Sequence, residues 1–142
     1  MNLAKVTPFC IVTPPPSMLP LLKQTINIET LHKWVDANVP EVSTAIISSE
    51  MFLYGGLINS RVSNESTSVI LSRLETLMSY GSRVKLYVSN VVMRIPGYNG
   101  DFEEPWYWAD YGFDLYSFSY YTDRYDKLQQ PEDLKLAESY AA

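Results

Sequence analysis

The sequence predicts an α/β fold: a three-layer, mostly parallel sheet with flanking helices, Rossmann-like in its strand and helix alternation, with helices at its C-terminal end. Three observations predict it. Short β-branched runs alternate with segments of helical period, and turn residues follow each run. The run Ala45, Ile46, Ile47 is continuously apolar, the pattern of a strand covered on both faces. The order strand, helix, strand, helix, strand, helix is that of right-handed crossovers, which make neighbouring strands parallel.

Taken in order, Pro8 to Val12 ("PFCIV") reads as a buried strand that the prolines from Pro14 onward end. Ile28, Leu31, Trp34 and Val35 then stand at helical spacing behind Asn27, a residue suited to cap a helix, and Pro40 closes that helix. "STAIISS" is the next strand. A helix follows with Val69, Ile70, Leu74, Leu77 and Met78 on one stripe, capped by Asn64 or Ser66 and stopped by Gly81. Arg83 to Met93 returns to strand composition, and the loop "RIPGYNGDFEEP" leads to a helix from Trp106 to about Leu128. Gln130 and Pro131 break it before a last helix.

With 142 residues, the chain has the length of one domain. Its 11 basic and 16 acidic residues give a net charge of -5 without a Lys/Arg cluster, so nucleic acid is not an expected partner. No apolar stretch reaches the roughly 20 residues that cross a bilayer, and prolines interrupt the N-terminal segment where a signal would need an apolar run. The expectation is a soluble chain without membrane partners, the cytoplasm favoured. Cys10 stands alone in an apolar run and is expected to be buried packing; His32, the single histidine, is expected to face solvent. No metal-ligand cluster is visible and no cofactor is expected. Asn64-Glu65-Ser66 fits the glycosylation acceptor triplet, which matters only in a secreted protein.

In parallel sheets ligands sit outside the carboxyl ends of the strands. Those ends are expected at Thr13 to Ser17, Ser48 to Gly56 and Ser89 to Asn99. The stretch "EMFLYGGLINSR", Glu50 to Arg61, occupies the second. Gly55-Gly56 either makes a tight turn or aims consecutive N–H groups at an anion. Glu50 is either ion-paired, with Arg61 or Arg94, or functional, because a carboxylate just after a buried strand must be solvated, paired or used. The third strand end supplies Arg94, Glu103 and Glu104. A parallel sheet would bring that loop beside Glu50, where two carboxylates could divide into general acid and general base. Glu103 and Glu104 equally suit a helix start, where the dipole favours acids. Eleven aromatics between Phe102 and Tyr125 exceed what one helix stripe can bury. They suit a sugar-binding pocket or a protein interface.

"IISSEMFLYGGLINSR", "VVMRIP" and "EEPWYWADYGFDLYSFS" together resemble the signature segments of the DUF4127 family. The resemblance runs from about Pro8 to Asp126, with several motifs in order. It implies an acid, a Tyr-Gly-Gly-Leu turn and a Ser-Arg pair, carried by Glu50, Tyr54, Gly55, Gly56, Leu57, Ser60 and Arg61. It also implies a Met-Arg pair on Met93 and Arg94, and an acidic, aromatic helix start on Glu103, Glu104, Tyr107, Trp108, Tyr111 and Gly112. The family pattern usually has aspartate where Glu50 stands, and opens on a strand leading to a Leu-Asp-x-Arg-Pro motif that Met1 to Lys5 do not match. The resemblance thus implies an internal piece of an N-terminal α/β domain, a fragment or truncated relative.

Combined with the site reading, the expected catalytic residues are Glu50, Glu103 and Glu104. Ligand contacts are expected from Tyr54, Gly55, Gly56, Ser60, Arg61, Arg94, Tyr107 and Trp108. The functional expectation is a hydrolase-like domain for a polar small molecule or glycan; the alternative is a non-catalytic interaction module, partnered by absent family domains or by itself through a sheet edge and the aromatic helix. No enzyme class follows from the residues. A dinucleotide oxidoreductase is disfavoured, because no glycine fingerprint follows a strand.

Overall fold

The computed structural model describes residues 8–141. The expectation concerning Met1 to Lys5 lies outside them. The chain forms two compact units, divided between Asn90 and Val91.

The first unit contains α1 (Ile28–Asn38), β1 (Thr44–Ser48), α2 (Ser49–Tyr54), α3 (Leu57–Val62), α4 (Thr67–Ser79) and β2 (Lys85–Ser89). Asn27 caps α1 as its chemistry predicts, its side chain accepting from the Thr30 N–H at 2.9 Å. A single 3-10 turn, Val39–Glu41, carries the chain past Pro40 toward β1. Strands β1 and β2 pair in parallel, Thr44 opposite Lys85 through Ser48 opposite Ser89. That is an α/β unit with a small parallel sheet.

Helices supply most of the core. Leu31 and Val35 of α1, Phe52 and Leu53 of α2, and Leu77 of α4 cluster with Val39, Tyr80 and Val84. Ala45, Ile47 and Leu86 pack against this cluster from the sheet. Tyr80 is fully buried, and its hydroxyl donates to Asp36 Oδ1 at 2.9 Å. Burial first, and then that hydrogen bond, push its phenol well above the usual tyrosine range.

Several expectations are corrected here. Pro8 to Val12 is not a strand: its residues are irregular, with Phe9 and Ile11 exposed, and the described residues give it no neighbouring strand to pair with. Cys10 is accordingly exposed and not core packing. His32 is half-buried and does not simply face solvent; its ring stacks on Phe52 at 4.0 Å between centroids and its Nε2 lies 2.9 Å from the Phe52 carbonyl. The strand at Arg83 to Met93 shortens to β2, since only Lys85 to Ser89 find partners on β1. Among the described residues one face of the β1–β2 pair is open: Ile46 is 79 % exposed, and Tyr87, opposite it, is 50 % exposed. In α4 the stripe is only partly used. Leu77 is buried, while Val69, Leu74 and Met78 are exposed, and the Ser66 side chain makes no cap bond.

The second unit is dominated by α5 (Trp108–Leu128) packed on α6 (Pro131–Ser139). Arg124 of α5 pairs with the buried Asp133 of α6, Nε to Oδ2 at 3.3 Å. Ahead of α5, Asn99 fastens the preceding loop to the helix. Its Oδ1 accepts from the Phe113 N–H at 2.7 Å and its Nδ2 donates to the Asp110 carbonyl at 3.3 Å. Gly112 permits this approach, because a Cβ there would meet the Trp108 ring and stand 2.6 Å from the Tyr98 carbonyl oxygen. Glu103 and Glu104 precede the helix and are not in its first turn, where the acid is Asp110.

Candidate functional site

The stretch Glu50 to Arg61 folds as two short helices around a glycine pair. Ser48 caps α2 by accepting from the Met51 N–H at 3.3 Å, and its hydroxyl donates to Glu50 Oε2 at 2.8 Å. Glu50 is 4 % exposed. A carboxylate at that depth is retained only where polar groups satisfy it, and the strand's last residue provides one such group. Beside it, the Ser49 hydroxyl donates to Asn90 Oδ1 at 3.0 Å, linking the segments that leave the carboxyl ends of β1 and β2. Ser48, Ser49, Glu50 and Asn90 thus form a polar cluster at the strand ends of the first unit.

Gly55 ends α2 in the left-handed region, with φ of 81°, and its N–H returns to the Met51 carbonyl. A side chain there would also press on Thr25, whose Oγ1 lies 2.7 Å from the position of a Cβ. At Gly56 a Cβ would collide with Asn59 Oδ1 and come within 2.8 Å of Pro20. The glycine pair is therefore required by close approach of residues 20–28 to the α2–α3 junction. No capping side chain or ligand-directed nest is needed to account for it.

That approach leaves a cleft of about 620 Å³. Residues 25–29 with Lys23 form one side, residues 62–65 another, and Tyr54, Asn59 and Arg73 complete it. Asn59 is 6 % exposed, and its Nδ2 donates to the Lys23 carbonyl at 3.0 Å. Arg73 spans the cleft residues and the end of α2. It holds Glu65 through two nitrogens, at 2.5 and 2.6 Å, and donates to the Leu53 carbonyl at 2.5 Å. The hydrogen bond from Arg73 holds the Glu65 carboxyl below its usual range, against a smaller opposing effect of burial.

The sequence-predicted residues divide between the units. Glu50, Tyr54, Gly55, Gly56, Ser60 and Arg61 belong to the first; Glu50 is at the strand end, Tyr54 lines the cleft, and the glycines shape it. The Ser60 hydroxyl donates to the Leu57 carbonyl within α3 at 2.7 Å, and Arg61 is half-buried. Arg94, Glu103, Glu104, Tyr107 and Trp108 belong to the second unit. There Arg94 and Tyr107 are exposed, Glu103 is half-buried, and Glu104 and Trp108 are buried.

Sequence reasoning missed Asn59 and Arg73. Asn59 had a signal: an asparagine inside an otherwise apolar helix start, "GGLINS", must be bonded if it is buried. Arg73 had none, since it stands eight residues from Glu65 and twenty from Leu53.

Among the described residues no group of three or more His, Cys, Asp or Glu side chains could hold a metal ion. No described helix is long and apolar enough to cross a membrane. Comparison with curated proteins and with solved structures finds no match to the chain. The family model described as "Protein of unknown function (DUF4127)" matches residues 1–142. The several motifs and this match over the whole chain agree, and the protein belongs to the DUF4127 family.

Proposed function

We propose that this chain is a hydrolase-like domain that binds a polar small molecule or glycan at the carboxyl ends of its strands, with Glu50 as the group that gives or takes a proton. One observation carries the reading: a buried carboxylate at a strand's carboxyl end, hydrogen-bonded by Ser48 at 2.8 Å. Parallel sheets bind ligands at that edge, and a carboxyl group withdrawn from water is the type that acid–base chemistry uses. The three-layer, Rossmann-like arrangement is part of the same proposal. A continuously apolar parallel strand calls for cover on both faces, and the exposed Ile46 and Tyr87 mark the face such a layer would cover.

The test is a thermal-shift screen of polar metabolites and oligosaccharides on wild type and Glu50→Gln. A compound that raises the midpoint of wild type and not of the variant supports the reading. If every stabilising compound acts equally on both, Glu50 is not part of a ligand site.

The same bare face favours a second reading, a non-catalytic interaction module. Among the described residues one face of the two-stranded sheet is open and no further strand pairs with its edges, and such strands pair readily with further protein. Concentration-dependent mass by light scattering, lost on Ile46→Ser, would favour this reading; a monomer at all concentrations would remove self-association from it.

A further inference from the structure

We propose that the cleft between residues 23–29 and 62–65 is a binding site for a neutral carbohydrate, distinct from the Glu50 cluster. The proposal rests on the first unit being a binder of polar ligands at its strand ends, and it adds a second site for such a ligand on a different set of side chains.

The two sides of the cleft are tied by side-chain hydrogen bonds. They are fastened independently: one by buried Asn59 on the Lys23 carbonyl, the other by Arg73 on Glu65 and on the Leu53 carbonyl. Gly55 and Gly56 are needed for the first side to come so near. Walls fixed before a ligand arrives spare it the cost of ordering them.

The chemistry of the lining decides the ligand class. Its cations, Lys23 and Arg73, are matched in number by its acids, Glu29 and Glu65. Arg73, the one guanidinium, is already neutralised by Glu65 through two hydrogen bonds. An anionic ligand could reach that guanidinium only by displacing the pair, and with two cations against two acids the lining carries no net positive charge to select for an anion. Tyr54, Ser63 and Asn64 are uncharged polar side chains of a lining that also holds the aliphatic Ile26, Ile28 and Val62; the Ser63 hydroxyl accepts from the Glu65 N–H at 3.2 Å and keeps its own proton to donate. Amides and hydroxyls next to an aromatic ring match sugar hydroxyls and the apolar face of a pyranose. At about 620 Å³ the volume is of the size that ligand pockets have.

The experiment is an NMR titration of the full chain with cellotetraose, maltotetraose, chitotetraose and mannotetraose, with inorganic phosphate as the charged probe. The variants are Asn64→Ala, Tyr54→Ala and Glu50→Gln; Asn64 is exposed and Tyr54 only half-buried, and a proton spectrum of each variant checks that it is folded. Expected is saturable binding of at least one tetrasaccharide with shifts at residues 25–29 and 62–65. That binding should be weakened roughly ten-fold by Asn64→Ala, about the worth of one good hydrogen bond, and retained by Glu50→Gln. Saturable binding of phosphate at these residues would overturn the proposal, as would failure of all four sugars. Loss of sugar binding in Glu50→Gln with retention in Asn64→Ala and Tyr54→Ala would overturn it too, while supporting the strand-end site.

Discussion

Helix α1 of the first unit and the long helix of the second use apolar residues in opposite ways. On α1 the residues Leu31 and Val35 lie on one stripe, and both are buried in the common core. On α5 the buried residues are Trp108, Gly112 and Ser117, while Tyr111, Phe113, Phe118 and Tyr120 are exposed. A narrow stripe needs one neighbour to satisfy it, and α1 has that neighbour. Aromatics spread around a helix need neighbours on several sides, and among the described residues α6 and the loop that Asn99 fastens leave many of them exposed. What α5 shows is that aromatic density does not by itself make a core; the number of faces a partner covers does.

The contrast can be broken by substitution. Phe52→Ala should have the largest effect, a loss of about 3–5 kcal/mol in chemical denaturation, because Phe52 is 1 % exposed and touches both His32 and Tyr80. An effect as large from an exposed α5 aromatic would erase the distinction. Gly56→Ala should cost about 1–3 kcal/mol, since its φ of 156° and its contact with Asn59 and Pro20 both resist a Cβ. If Gly56→Ala were neutral, the close approach that shapes the cleft would not be under constraint.

A smaller loss, about 1 kcal/mol, is expected for Tyr80→Phe, which keeps the buried ring and removes the hydrogen bond to Asp36. Glu65 gives a pH dependence of defined sign. Its carboxyl titrates lower in the folded chain than in the unfolded one, so its contribution is present above the unfolded value and is lost as pH falls through the folded value. Comparing wild type with Glu65→Gln from pH 7 to below about 4, the usual carboxylate range, the stability difference should shrink toward acid. A difference that grows toward acid would contradict the Arg73 pairing. Smallest of all, Phe118→Ala on α5 should stay within about 0.5 kcal/mol of wild type by the same denaturation measurement, Phe118 being 40 % exposed.

Local signals carried much of the fold. Asn27 as cap, Pro40 after the helix, the apolar run of β1 and the break at Gln130-Pro131 each act within a turn or two of chain, and each element they mark is present. Signals that required a partner carried less. Pro8 to Val12 has strand composition, yet a strand exists only through a neighbour's hydrogen bonds, and the described residues offer none. The candidate site divides the same way. Glu50 after a strand and Tyr54 before two glycines could be picked from spacing, whereas the roles of Asn59 and Arg73 depend on backbone carbonyls far away in sequence.

The helix spacing of α1, its Asn27 cap, the glycine turn and the family were thus legible in the chain alone. Those follow from torsional preference, from side chains near in the chain, and from motif order. Tertiary structure alone decided that Glu50 is buried on Ser48, that His32 stacks on Phe52, and that Arg73 closes a cleft onto Glu65. These depend on which surfaces meet, and hydrogen-bond satisfaction and burial are properties of the packed chain that no stretch of it contains in isolation.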